Sequence, residues 1–173
     1  MRRTKKLVFL SLLTAISLGI WVIEAQIPAP VPVPGVKLGL ASVVTLTAMT
    51  LLGRREALAV LVMRVFLSTL FAGSFSAILF SLTGGLLSWA VMALTLGLFG
   101  DNLLWVVSVL GAIGHNAGQL LAAAAVTRTA ALFAYAPALL CAAIVTGAFT
   151  GVAAMYLTRA LRRFLNNDRR DND

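Results

Sequence analysis

Residues 24–45, EAQIPAPVPVPGVKLGLASVVT, join the first two apolar runs of the chain, and the rest of the sequence is organised around them. Pro28, Pro30, Pro32 and Pro34 alternate along the stretch, followed by Gly35 and Lys37, with Glu24 at its start. Proline fixes its own φ and holds the preceding residue extended, so a stiff polyproline-like strap is expected here. A stiff strap between two apolar helices suits a cap over a small-molecule site.

The flanking composition sets the class. Of 173 residues, 60% are hydrophobic and 12% charged, with a mean hydropathy of +0.97. A soluble domain of this size needs more charge to cover its surface, so the chain reads as an all-α integral membrane protein. Apolar runs predict six spans, at 7–27, 36–52 and 57–82, from a break at Thr83-Gly84-Gly85 to 98, then to 126 after Gly100-Asp101-Asn102, and 132–157 after Thr127-Arg128-Thr129. They form one domain, 1–164, followed by a charged tail, 165–173, expected to be disordered. The opening MRRTKK and the apolar run after it resemble a signal peptide. However, the run is long enough to span, and Ile23 does not fit the small-residue rule for cleavage at Ala25.

The net charge of +8 is distributed along the membrane rather than gathered into a nucleic-acid face. Eleven of the fourteen Lys and Arg lie in MRRTKK, at Arg54–Arg55 and from Arg159 onward. By the positive-inside rule both termini are cytoplasmic, in a bacterial cytoplasmic (inner) membrane, and no nucleic-acid partner is expected. The strap, the Gly84-Gly85 turn and the Arg128 turn then share the outer face. The single Cys141 excludes an internal disulfide.

Polar groups inside a bilayer normally face a partner or a cavity, and they nominate the site. In GAIGHNAGQLL, His115 and Gln119 are four residues apart on one helical face, with Asn116 one step round and glycines leaving space. These three form a candidate ligand wall; the alternative is an interhelical hydrogen-bond network. Glu24 is a candidate contact at the mouth, Lys37 one for an anionic ligand, and Ser88 with Trp89 ones from the fourth helix, where Trp89 could stack on a flat solute. Arg64, by helix arithmetic about 10 Å from the cytoplasmic edge, is expected to be structural and not to meet Glu24. Ser11, Ala15 and Gly19 make a small-residue stripe on which another membrane protein could dock. No Asp-rich magnesium site, Walker loop or metal-spaced His/Cys/Glu cluster is present, so neither a catalytic constellation nor a cofactor or metal is expected.

Four segments together, residues 24–46, 70–92, 109–124 and 135–151, resemble the Gx transporter family, also labelled heptaprenyl diphosphate synthase component I. PGVKLGLA, SLTGGLLS and GAIGHNAGQ carry the likeness. That family is similar to the substrate-binding S components of energy-coupling factor (ECF) importers. The resemblance implies a six-helix bundle with cytoplasmic termini and an outward-facing solute site under the first connection. It also implies docking of a coupling subunit, with its ATPases, through the Ala15-x-x-x-Gly19 pattern. The other label implies a membrane component of isoprenoid synthesis. With no residues here for magnesium-dependent condensation, such a component would assist a separate catalytic subunit, and Lys37 with Arg128 would grip the diphosphate.

Overall fold

The computed structural model describes residues 3–27, 37–72 and 75–170, with the side chains of 72, 75–77 and 165–170 left aside. Among the described residues six α-helices follow one another: α1 Arg3–Glu24, α2 Ser42–Leu51, α3 Arg54–Ala72, α4 Phe75–Phe99, α5 Leu104–Thr127 and α6 Ala136–Arg170. Short 3-10 turns at Asp101–Leu103 and Ala130–Tyr135 precede α5 and α6. The all-helical, membrane-type bundle expected from composition is the architecture the chain adopts. α1, α4, α5 and α6 are long and apolar enough to cross a bilayer. Phe66, Phe71, Leu94, Val145 and Phe149 point outward, each at least 61% exposed. Such a surface would aggregate in water and suits contact with lipid tails.

Polar contacts fix which ends of the helices lie together. Lys6 in α1 pairs with Glu56 in the first turn of α3, and Arg162 of α6 pairs with Asp101 ahead of α5. Thr50 near the end of α2 meets Thr158 of α6 with 3.2 Å between hydroxyl oxygens. The N-terminal part of α1 and the C-terminal part of α6 therefore share one end with Arg54 and Arg55, here called the basic end. The connection leaving α1 lies at the other, the strap end. Leu13, Val44, Leu46, Met49, Val60, Met92 and Val107 fill a core toward the basic end, while Phe80, Leu120, Ala123 and Leu139 pack α4, α5 and α6 nearer the strap end.

Three boundaries differ from the sequence expectation. The second helix begins at Ser42 rather than at 36, leaving ten residues, or about 15 Å, which is half the hydrocarbon thickness. Residues 37–39 are not helical, and Gly39 has φ +76°, a left-handed conformation in which a right-handed helix cannot continue. The alternating prolines of 28–36 lie outside the described residues. Second, Thr83-Gly84-Gly85 is not a turn, because α4 runs straight through it. Gly84 and Gly85 are packing notches: a Cβ on the first would lie 2.8 Å from Gln119 Cγ, and on the second 2.7 Å from Leu61 Cδ1. The break between α3 and α4 falls after Ala72 instead. Third, α6 continues to Arg170, past Phe164 where the disordered tail was expected to begin.

Candidate functional site

Because α2 fills only half the thickness, the segment leading into it descends among the other helices. At membrane depth there is no water to satisfy free backbone groups, so such a segment needs partners from the protein. Two buried side chains provide them. The Gly39 N–H donates to Glu24 Oε1 at 2.6 Å, and the Lys37 N–H donates to Gln119 Oε1 at 3.1 Å. Glu24 is 4% exposed and Gln119 1%. The Lys37 ammonium lies 4.2 Å from the centroid of the Trp21 ring, a cation–π distance.

Beneath this segment is a polar cavity. α1 contributes Trp21 and Glu24, α3 Leu61 and Arg64, α4 Ser81, Gly85 and Ser88, and α5 His115 and Gln119. Lys37, Gly39 and Thr45 close it. The space open to the centres of water molecules is about 20 Å³, enough for a water but not for a larger solute unless the connection moves. The imidazole of His115 is wedged between two glycines: a Cβ on Gly39 would approach its Cδ2 to 2.9 Å, and one on Gly84 its Cε1 to 3.1 Å. His115 is thus positioned by the absence of side chains on both sides.

Five of the seven ligand candidates, Glu24, Lys37, Ser88, His115 and Gln119, come together around this cavity. Asn116 does not. Adjacent residues on a helix point about 100° apart, and its Nδ2 donates instead to the Leu139 carbonyl of α6 at 2.9 Å. There it borders an apolar crevice of about 370 Å³, with Leu120, Phe133 and Leu140. Trp89 is also elsewhere. With Gly84-Gly85 in mid-helix rather than at a turn, Trp89 falls closer to the basic end, where its indole N–H donates to the Arg54 carbonyl at 3.0 Å. Ser11, Ala15 and Gly19 form an exposed stripe on α1, and a Cβ on Gly19 would meet nothing within 4 Å.

Arg64 overturns its expected depth, although it makes no ion pair with Glu24 among the described residues. It is 6% exposed and lines the cavity with Glu24, rather than remaining near the basic end. α3 starts at Arg54, three residues before the apolar run, so Arg64 lies ten residues, or about 15 Å, into the helix. Its being the single charged residue within a long apolar run was the signal available in the sequence. Arg128, by contrast, caps α5 in a left-handed conformation, is exposed and does not line the cavity.

Three buried donor-bearing atoms around the cavity have no hydrogen-bond partner among the described residues: Trp21 Nε1, Arg64 Nε and Ser88 Oγ. They come from α1, α3 and α4. No group of three His, Cys, Asp or Glu able to hold a metal occurs among the described residues.

Neither a curated protein nor a solved structure matches the chain. The family model of heptaprenyl diphosphate synthase component I matches residues 13–157, from α1 into α6 and so across every element that forms the cavity. The chain belongs to the heptaprenyl diphosphate synthase component I family.

Proposed function

We propose that the chain is a solute-binding membrane subunit that takes a small polar molecule into the cavity under the α1–α2 connection, as S components of ECF importers do. The observation that carries this reading is the convergence on one cavity of three buried donors, from three helices, that have no partner among the described residues. A buried polar group left unpaired costs about 1–3 kcal/mol, so three at one place are poorly explained by packing. With the basic end cytoplasmic, as the positive-inside rule directs, solute enters from the outer face when the connection opens. The chain carries no nucleotide-binding loop, so the energy for import comes from partner ATPases. A coupling subunit docks on the outward-facing stripe of Ser11, Ala15 and Gly19.

The family description favours a second reading, a non-catalytic membrane component of heptaprenyl diphosphate synthase beside a catalytic partner. The cavity then receives the head of an isoprenoid diphosphate. Lys37 and Arg64 would be the clamp, since Arg128 is not at the cavity.

Native mass spectrometry of the detergent-purified chain tests both readings. A bound small molecule is expected on the wild type and not on Ser88→Trp, which fills the cavity. An ATPase module carried along supports the importer, and a soluble prenyl synthase subunit the second reading. A wild-type chain as bare as Ser88→Trp would overturn the solute site.

A further inference from the structure

Resting on the reading of this cavity as a solute site, we infer that its ligand is a small anion, held through carboxylate or phosphate-type oxygens by Arg64, Ser88 and Trp21. The first argument is charge. The cavity holds two cations, Lys37 and Arg64, and one acid, Glu24. Residues 28–36 of the connection, PAPVPVPGV, bring no charged side chain to alter that balance. The other acids are committed elsewhere. Glu56 and Asp101 pair with Lys6 and Arg162 at the basic end, and the last three lie at 168, 171 and 173, at the far end of the chain. Glu24 itself is engaged by the Gly39 N–H. An additional negative charge beside Arg64 must therefore come from outside the chain, and an excess of positive charge at the cavity, with Arg64 buried and Lys37 half-buried, favours one.

The second argument is hydrogen-bonding sense. Guanidinium and indole N–H groups only donate, and a serine hydroxyl can do so. Trp21 Nε1, Arg64 Nε and Ser88 Oγ, buried and unpartnered among the described residues, jointly require acceptors. A carboxylate or phosphate offers acceptors alone and matches all three. An ammonium ligand would face two cations, and a neutral amide would bring N–H donors to a wall already rich in them. Gln119, which carries no charge, and His115 line the same cavity. Arg64 is thus placed to do what the paired arginine at the basic end does for Asp101, with the acid supplied by the ligand.

The test uses full-length protein purified in detergent from its native membranes, alongside Arg64→Met and Arg64→Lys. Molecules released on denaturation are identified by mass in both ion polarities. The wild type is expected to release an acid, with Arg64→Met retaining about ten-fold less or lower still, and Arg64→Lys an intermediate amount. Phosphorus in the released acid identifies a diphosphate or phosphate source, and its absence a carboxylate. A neutral or cationic molecule on the wild type would overturn the anion assignment and leave the solute site standing; no molecule at all would overturn both. Should Arg64→Met fail to fold, Ser88→Ala and Trp21→Phe each remove one donor and should each reduce retention of the acid. Unchanged retention in both would reject the assignment.

Discussion

The basic end of the bundle and the cavity near its strap end treat charge in opposite ways. At the basic end two cations meet acids, Lys6 with Glu56 and Arg162 with Asp101, in side chains that are 20–47% exposed. In the cavity Glu24 and Arg64 are both nearly fully buried, yet the acid bonds to the backbone of Gly39 and the guanidinium keeps an unpartnered Nε. Buried opposite charges left without a close pair are a poor way to stabilise a bundle, since apolar side chains of similar volume do as well or better. One end pairs charges of the chain with each other. The other presents buried donors, Trp21 Nε1, Arg64 Nε and Ser88 Oγ, without partners among the described residues.

That contrast can be broken or sharpened by substitution. The largest effect is expected where helices touch backbone to backbone. A Cβ on Gly118 would sit 2.6 Å from the Thr83 carbonyl oxygen and 2.8 Å from Gly84 Cα, neither of which can rotate away. Gly118→Ala should lose about 3 kcal/mol of stability in thermal or denaturant unfolding, and the cavity should lose its shape with it. Glu24→Ala comes next, because it leaves the buried Gly39 N–H without its acceptor. A loss of about 1–3 kcal/mol is expected, with faster proteolysis of the α1–α2 connection, and Glu24→Gln should recover much of it by keeping an acceptor oxygen. The smallest effect belongs to the basic end. Lys6→Gln should cost less than about 1 kcal/mol, and that difference should shrink further in high salt. Loss of the Gly39 bond should be insensitive to salt, which separates the two regions in one series of melts.

Much of this was legible in the sequence, and what was not has identifiable causes. Hydropathy and the clustering of Lys and Arg led to an all-helical membrane bundle with a basic end, because those signals come from the lipid itself rather than from packing. The four-residue spacing of His115 and Gln119 correctly placed them on one face, and Glu24, Lys37 and Ser88 come to the same cavity. Asn116 falls outside this cavity because adjacency along the chain is not adjacency around a helix. Gly84-Gly85 invited a turn by local propensity, yet the contacts of α4 with α3 and α5 use the missing Cβ atoms, and tertiary packing overrode the propensity. Trp89 was displaced by the same error, since its depth had been measured from that turn. Arg64 was underestimated because the helix was taken to begin where hydrophobicity begins, at 57, whereas Arg54, Arg55 and Glu56 already form its first turn. Gly39 carried a hint of the broken segment that hydropathy could not register, namely that a glycine free to take positive φ sat in a run otherwise suited to helix.

The central claim is that Arg64 serves a ligand and not the bundle. Thermal unfolding of the Arg64→Met protein, stripped of bound small molecules and measured beside wild type prepared in the same way, tests it most directly. Methionine fills similar space without the charge. The stripped variant should be as stable as the stripped wild type or more so, because a buried cation that makes no direct ion pair among the described residues has been removed. A fall of more than about 3 kcal/mol, the scale on which breaking a buried ion pair registers, would make Arg64 a structural brace and contradict the ligand role.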